Sequence, residues 1–291
     1  MLERTDKNIT RKAFPHRPDD AHKGTMGTLL SVCGSYGMAG AGILSALAAL
    51  RTGVGLLKWA LPKSIYPIAA VRVPEGVYLP LRETVDGKIA AENLPLLQSA
   101  ADSSTAVLLG CGLSVCEDTR KAVTELVTSC EKPMVLDADA LNCIAEQPAI
   151  LKKAKGALVI TPHPAEIGRL TGQSAAEVNA DRQGTAEKFA REYGVVTVLK
   201  GAGTIIASPS GRTMINKTGN SGMATGGSGD VLAGMLASLL AQGADAFDAA
   251  AAAVYLHGLA GDIAAQRIGK ISLLPSDLID MLPYAFRESG I

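Results

Sequence analysis

Residues Ala106–Asp139 read AVLLGCGLSVCEDTRKAVTELVTSCEKPMVLDAD, and this stretch decides the fold class. Two short apolar runs, Ala106–Leu109 and Pro133–Leu136, are separated by Thr119–Cys130, which has a helical composition. Apolar runs of this length are typical of strands that are buried on both faces. A strand, a helix and a second strand in this order predict two parallel strands joined by a helix.

The same alternation recurs along the chain. Further buried strands are predicted at Thr28–Cys33, Ala157–Ile160 and Val195–Leu199. Further helices are predicted at Ala41–Arg51, Ser174–Tyr193 and Asp230–Leu240. The runs Thr204–Ala207 and Arg212–Ile215 flank the turn sequence SPSG and indicate an antiparallel hairpin at the sheet edge. The sequence therefore predicts a three-layer α/β/α fold whose central sheet is mostly parallel with an antiparallel edge hairpin.

Composition narrows the class of protein. The 28 basic residues balance the 28 acidic ones and aromatic residues make up only 4%, which argues against a nucleic-acid partner. The five cysteines show no CxxC pair, so reduced thiols and a cytoplasmic location are expected. The longest apolar region, Val231–Gly261, is interrupted by polar residues and predicts two packed helices, not a membrane span. A polar amino-terminal arm, residues 1–22, is expected to precede one domain, residues 23–291.

Small and polar residues follow most of the predicted strands. Ligands of open α/β sheets bind at the carboxyl ends of the strands, so these residues are expected to line one crevice. The residues at these strand ends include Gly34, Gly110, Gly112, Asp137, Asp139, His163, Lys200 and Gly201.

The segment Asn220–Gly234, NSGMATGGSGDVLAG, precedes and enters a predicted helix. Glycines before a helix let backbone N–H groups converge on an anion, so the segment predicts a phosphate-binding loop that is not a Walker A motif. Asp230 could simply lie in the first helical turn, where acids are favourable. A carboxylate beside a bound phosphate is repulsive unless it serves a proton transfer or a metal, which favours a catalytic role.

For several other polar segments and residues, the sequence allows both a functional and a purely structural role. The segment Gly34–Gly42, GSYGMAGAG, is a second anion cradle or a tight turn. Asp137 and Asp139 either bind Mg²⁺ through water, with Glu166 as a further outer partner of the metal, or cap the next helix. His163 lies between two prolines and favours a ligand contact, whereas His257 in an apolar helix favours a core position. Lys200 alone would more often be a solvated or bridging lysine.

Five segments together resemble the ADP/ATP-dependent NAD(P)H-hydrate dehydratase family, a branch of the ribokinase-like superfamily. The resemblance extends from about Lys23 to Pro283, and the segments around His163 and Asp230 are its most specific parts. The five segments are GSYGMAGAGILSALAALRTGVG (34–55), LDADALN (136–142), ITPHPAEIGRLTG (160–172), VLKGAGT (198–204) and TGNSGMATGGSGDVLAG (218–234).

The resemblance implies a ribokinase-like fold and a lyase that repairs hydrated NADH or NADPH at the expense of ADP or ATP, with Mg²⁺. Asp230 would then deprotonate the hydroxyl of the hydrate, and the hydrate would contact Ala41, Gly112 and His163. The residues implied to bind the nucleotide are Lys200, Gly201, Ala202, Gly203, Thr204, Gly226, Gly227, Ser228 and Gly229.

Two residues depart from the family pattern: Cys111 stands where the family often has proline, and Lys217 also differs from it.

The resemblance also has consequences for partners. Only about twenty polar residues precede Lys23, which leaves no room for the epimerase domain of some relatives, so action on the S epimer beside a separate epimerase is expected. Relatives are often homotetramers. Two alternative functions stay open. A kinase for a small hydroxyalkyl vitamin precursor would not need the glycine segment Gly34–Gly42. A protein that only senses a nucleotide would not need Asp230.

Overall fold

The computed structural model describes residues Leu2–Ile291 and contains one sheet of ten strands. In chain order the strands are β1 (Glu3–Arg4), β2 (Thr28–Val32), β3 (Leu56–Pro62), β4 (Val77–Leu81), β5 (Ala106–Leu109), β6 (Met134–Leu136), β7 (Leu158–Ile160), β8 (Val196–Leu199), β9 (Ile205–Ala207) and β10 (Thr213–Ile215).

Twelve α-helices are found within the described residues. They are α1 (Lys7–Ala13), α2 (Ala39–Arg51), α3 (Tyr66–Arg72), α4 (Leu94–Asp102), α5 (Glu117–Ser129), α6 (Asp139–Ile144), α7 (Pro164–Thr171), α8 (Ala175–Ala180), α9 (Arg182–Tyr193), α10 (Ser228–Ala241), α11 (Ala246–Ile268) and α12 (Pro275–Glu288). Short 3₁₀ segments lie at Lys63–Ile65, Ala91–Asn93, Pro148–Lys153 and Ser221–Met223.

The sheet runs in the order β1, β10, β9, β8, β7, β6, β5, β2, β3, β4. Neighbouring strands from β8 to β4 are all parallel, whereas β9 is antiparallel to both β8 and β10. The predicted mostly parallel sheet and its antiparallel hairpin are confirmed. The outermost strand beside the hairpin is β1, which pairs in parallel with β10.

Helices cover both faces of the sheet and produce three layers. Successive side chains of a strand point to opposite faces. Accordingly Leu29 and Leu108 belong to a core that includes α2, α10 and α11, while Leu30 and Leu109 belong to a second core that includes α5 and α9. All four leucines are fully buried, which explains why the strands are apolar without alternation.

The structure differs from the sequence prediction at one helix, at β1 in the expected amino-terminal arm and at two further strands. The single helix predicted at Ser174–Tyr193 is two helices, because Asp181 ends α8 and its carboxylate accepts a hydrogen bond from Gly184 N at 2.8 Å to begin α9. Strands β3 and β4 had not been predicted. Lys58 and Pro80 interrupt their apolar patterns, and both strands lie at the far end of the sheet.

The amino-terminal residues are part of the folded body. The predicted arm, residues 1–22, is described from Leu2 onward and contains β1 and α1, and α1 packs against α11. The buried hydroxyl of Thr5 donates to Asn216 Oδ1 at 2.7 Å, and Asn216 Nδ2 donates to the carbonyl of Thr218 at 3.1 Å. These bonds join the amino-terminal segment to the loop that leads into α10.

From β2 the sheet continues to β3 and β4 on one side and to β5 and β6 on the other, so the order of strands reverses between β2 and β5. Ligands of open α/β sheets bind at such a reversal. The two strands continue past their ends side by side, since Gly34 N donates to the carbonyl of Cys111 at 2.8 Å. Helix α10 packs closely on α2 because a Cβ at Gly234 would lie 2.1 Å from the carbonyl oxygen of Ser45. The strand reversal and the start of α10 thus define one site.

Candidate active site

Three acidic or thiol side chains meet where β5, β6 and α10 converge. One ligand-capable atom of each of Cys111, Asp137 and Asp230 lies within 4.8 Å of those of the other two. Cys111 and Asp137 are buried, whereas Asp230 is partly exposed to solvent. Two carboxylates from distant parts of the chain therefore face one small space.

Asp137 is the most strongly bound of these groups. Its Oδ1 accepts hydrogen bonds from Lys200 Nζ at 2.6 Å and from Thr161 Oγ1 at 2.7 Å. Its Oδ2 is 3.8 Å from the sulfur of Cys111, which donates to it weakly. Lys200 also lies 3.8 Å from Glu166 Oε2, so one ammonium group compensates two buried carboxylates. The lysine at the end of β8 is thus a bridging residue between strand ends.

Asp230 lies in the first turn of α10, on the side that faces Asp137. Burial raises the pKa of the Asp230 carboxyl group to about 7, and the negative charge of Asp137 adds to the increase. The neighbouring Cys111 thiol and the charge of Lys200 act in the opposite direction. A carboxylate with this pKa can accept a proton from a hydroxyl group near neutral pH.

The glycine segment before α10 has room for a ligand. A Cβ at Gly226 would meet no atom within 4 Å, and Gly227 has a φ of 103° that favours glycine. A Cβ at Gly229 would lie 3.3 Å from Lys200 Nζ, so the lysine approaches the backbone of the first turn. The amides of the first helical turn that lack an acceptor within the helix, together with the charge of Lys200, can bind an anion. Ser228, the first residue of α10, is buried and its hydroxyl donates to the carbonyl of Met223 at 2.8 Å.

The segment Lys200–Thr204 connects β8 to β9 at the same edge of the sheet. Lys200 N donates to the carbonyl of Pro162 at 2.8 Å, and this bond continues the pairing of β8 with the end of β7. Gly201 and Gly203 both have positive φ, 141° and 69°. The segment and the loop before α10 therefore meet at Lys200, and their role as nucleotide contacts stays a prediction.

The first glycine segment lies on the other side of the site. Ala41 is in the first turn of α2, and a Cβ at Gly112 would lie 2.8 Å from the Cβ of Ala41. The hydroxyl of Ser35 donates to the carbonyl of Gly112 at 2.9 Å. The segment Gly34–Gly42 and the residues after β5 are thus in direct contact, and their role in substrate binding stays a prediction.

His163 begins helix α7 and is half-exposed. Its Nδ1 accepts hydrogen bonds from the backbone amides of Ala165 and Glu166, while its own amide donates to Glu166 Oε2 at 2.7 Å. Burial lowers the pKa of the imidazole, and the charges of Lys200 and Arg169 lower it further. The ring is therefore held neutral, and its Nε2 lies 3.3 Å from Glu166 Oε1 at the end of β7.

The two aspartates after β6 have different surroundings. Asp139 Oδ2 accepts a hydrogen bond from Ser114 N at 2.8 Å, and its Oδ1 accepts one from Asn142 Nδ2 at 3.1 Å. Asp137, in contrast, faces Asp230. The binding of Mg²⁺ by Asp137 and Asp139 stays a prediction, and the side chain that shares a space with Asp137 is Asp230.

His257 lies in α11 beneath the start of α10. Its Nε2 is 2.9 Å from the carbonyl oxygen of Ser228, and burial lowers the pKa of the ring to about 4. A neutral, buried and hydrogen-bonded ring agrees with the core position inferred from the sequence.

Three contributors to the site had no assigned role in the sequence interpretation. Thr161 was named only as a residue at a strand end, and Cys111 only as a departure from the family pattern. Arg182, which donates to the carbonyl of Ala202 at 2.6 Å, was not singled out. Their contacts depend on which strands are neighbours, and no local motif reports that. One indication for Thr161 was present in the sequence: it is among the polar residues that directly follow β6 and β7.

The architecture and the site together define a class. The chain aligns with a ribokinase-like superfamily protein from Enterococcus faecalis V583 with a TM-score of 0.85 and 26% identity, covering 99% of this chain and 96% of that one. A parallel sheet with an antiparallel hairpin, a glycine loop before a helix and an acid in its first turn are therefore features of a ribokinase-like protein.

The chain belongs to the NAD(P)H-hydrate dehydratase family, whose model matches residues 29–284. It is 34% identical to the ADP-dependent (S)-NAD(P)H-hydrate dehydratase of Bacillus subtilis (strain 168), covering 98% of this chain and 97% of that protein. A crystal structure of the ADP/ATP-dependent NAD(P)H-hydrate dehydratase from Bacillus subtilis, co-crystallised with ATP and Mg²⁺, aligns with a TM-score of 0.85 and 33% identity over 99% of both chains.

A bifunctional NAD(P)H-hydrate repair enzyme from Moorella thermoacetica is 45% identical over 279 residues, which cover 96% of this chain and 52% of that protein. The chain thus spans about half the length of the curated bifunctional relatives that it matches. Within residues 2–291, none of the helices is both long enough and apolar enough to cross a membrane.

Proposed function

We propose that this protein dehydrates the S epimer of NADH or NADPH hydrate and restores the reduced coenzyme, with ADP or ATP as co-substrate. The observation that carries the proposal is the position of Asp230, whose carboxylate lies one turn or less from Gly226–Gly229 and faces the end of the sheet where β2 and β5 separate. Family membership and the matching relatives support this reaction.

In the proposed reaction, Asp230 accepts the proton of the hydrate hydroxyl while that oxygen attacks the terminal phosphorus of the nucleotide. The bond from this phosphorus to the remaining nucleotide breaks, so ADP leaves as AMP and ATP leaves as ADP. The phosphorylated carbon then loses phosphate, and loss of a proton from the neighbouring ring carbon restores the double bond. Lys200 and the first-turn amides of α10 stabilise the charge of the transferring group.

The proposal assigns the two ligands to two sides of the site. Ala41, Gly112 and His163 contact the hydrate. The nucleotide lies against Lys200–Thr204 and Gly226–Gly229, which converge at the ammonium group of Lys200. A hydroxyl between these two sides is within reach of the Asp230 carboxylate.

Mg²⁺ fits the chemistry of the acidic side chains. Asp137 and Asp230 offer hard oxygen atoms in one space, which suits an ion that keeps several water molecules. Asp137 would hold the ion through water, with Asp139 behind it. When bound, the ion supplies neutralisation of phosphate charge.

We also propose that the protein works in the cytoplasm as a homotetramer, and that a separate epimerase converts the other epimer. The five free thiols support a reducing compartment. Most apolar residues of α11 are buried against α1, α10 and α12 of the same chain, so they are not available for contacts between subunits. Light scattering after size-exclusion chromatography tests the number of subunits.

The activity is tested by incubating the protein with NADH hydrate, Mg²⁺ and either ADP or ATP, and by following the recovery of the reduced-nicotinamide absorbance. Recovery with at least one nucleotide is expected, with one AMP or ADP formed per coenzyme restored. The Asp230→Asn variant should bind the nucleotide but restore no coenzyme. No recovery with either nucleotide would contradict the proposal, and phosphorylation of a small hydroxyalkyl compound would replace it with a kinase.

A further inference from the structure

Arg182, the first residue of α9, lies behind the segment Lys200–Thr204. Its Nη1 donates to the carbonyl of Ala202 at 2.6 Å, and its Nη2 donates to the carbonyl of Leu199 at 2.9 Å. A Cβ at Gly201 would lie 2.9 Å from Nη2, so the backbone passes directly over the guanidinium group. One planar side chain thus holds the chain directly before the segment, at Leu199, and at the middle of the segment, at Ala202.

Two further carbonyl groups of the segment are bound as well, whereas its central amides are free. Gly201 O accepts from the hydroxyl of Thr204 at 3.0 Å, and Thr204 O accepts from Asn216 N at 2.9 Å. No acceptor among residues 2–291 takes a hydrogen bond from the amides of Gly201, Ala202 or Gly203. Consecutive free amides in a glycine turn form a concave site for an anion.

The charge of Arg182 is not compensated within the described part of the chain. No carboxylate lies within 4 Å of its guanidinium nitrogens, and its Nε is buried without a hydrogen-bond partner. Burial of a charge is costly unless an opposite charge accompanies it. An uncompensated cation behind a row of free amides therefore indicates that an anionic ligand completes the site.

We propose that Arg182 is a positioning residue for the phosphate-bearing nucleotide: it binds the carbonyl of Ala202 in the segment Lys200–Thr204 and that of Leu199 directly before it, and thereby presents the amides and a positive charge to that ligand. The inference rests on the proposed nucleotide site and deepens it. Arg182 acts through the backbone of the segment and does not contact the reacting atoms.

The test measures ADP affinity by titration calorimetry, which does not require turnover. Arg182→Met removes both hydrogen bonds and the charge but keeps much of the apolar volume. We expect the Kd for ADP to rise by at least about tenfold, which is the loss of roughly 1.4 kcal/mol. In turnover, the KM for ADP should rise while kcat at saturating ADP changes by less than about threefold.

A matched control comes from Arg120, which also donates to a backbone carbonyl, that of Cys143, at 2.9 Å, but on the far side of α6. Arg120→Met should lower the melting temperature without changing the Kd for ADP. Arg182→Lys keeps the charge but replaces the planar fork with one ammonium group, so it should recover only part of the affinity. It also serves as the test if Arg182→Met does not fold.

The outcomes separate this inference from the proposed activity. Weaker ADP binding by Arg182→Met supports the inference even if NADH hydrate is not repaired. A Kd of Arg182→Met for ADP within twofold of that of the unchanged protein would overturn the inference. Full recovery of ADP affinity by Arg182→Lys would also overturn it, because the planar guanidinium group would then have no role. An unchanged protein that binds no ADP would overturn both the inference and the nucleotide site.

Discussion

Asp230 should destabilise the folded protein above neutral pH, and Asp230→Asn should relieve this cost. The folded-state pKa of the carboxyl group is about 7 and its ordinary value is 3.8, because burial and the charge of Asp137 disfavour ionisation. The increase of about 3 units corresponds to about 4 kcal/mol. A raised carboxyl pKa contributes stability that is present below its unfolded value and is lost as pH rises through the folded value.

The expected free-energy difference between Asp230→Asn and the unchanged protein is therefore small near pH 4, increases with pH, and reaches its full size above about pH 7. For a chain of this length, about 4 kcal/mol corresponds to roughly 6 °C in melting temperature. The same variant should lose turnover by about 10²-fold or more, since the proton acceptor is removed.

The assay is thermal unfolding from about pH 4 to 8 without nucleotide and with a chelator, because a bound cation would relieve the repulsion. Asp86→Asn, at an exposed position, is the matched control and should show no such trend. A stability difference that does not depend on pH, or a variant that is less stable at about pH 8, would refute the assignment of Asp230 as a buried acid held close to Asp137.

Three further predictions concern the same site and its support. The kcat/KM for the hydrate should rise with pH through an apparent pKa of about 7 and lose this limb in Asp230→Asn, and a flat profile would exclude Asp230 as the proton acceptor. Gly234→Ala should destabilise by about 3 kcal/mol or more, because its Cβ would overlap a backbone oxygen of α2, whereas Gly226→Ala should keep its melting temperature and raise the KM for the nucleotide. Thr161→Val should cost about 1–2 kcal/mol in urea unfolding by removing a hydrogen bond to buried Asp137, and an unchanged midpoint would show that this bond is not needed.

The sequence predicted the centre of the sheet better than its ends. Strands β5, β6, β7 and β8 are buried on both faces, so the first three are uninterrupted apolar runs between turn residues, and β8 is apolar except for Thr197. Strand β3 contains Lys58, whose ammonium group donates to Ser103. This polar residue interrupts the apolar run, so the strand was not predicted. The break at Asp181 was missed because the composition on both sides is helical and only the geometry of its carboxylate shows the new helix start.

The site could be predicted as a set of strand ends but not as a network. The glycines and the acid of the segment Asn220–Gly234 lie close together in the chain, so a local motif reveals them. The contacts of Asp137 with Lys200 and Thr161 join strands β6, β7 and β8, and they depend on the register of those strands. The role of Arg182 depends on how α9 packs behind the end of β8, which no spacing in the sequence records.

The bond between Thr5 and Asn216 has a practical consequence for handling the protein. Asn216 also holds the carbonyl of Thr218, and Gly219 and Asn220 follow directly, anchored on Asp262. Trimming the first six described residues, or forcing them apart with a bulky fused tag, would therefore disturb the glycine loop from a distance. Purification handles are better fused at the carboxyl terminus, where Ile291 is exposed.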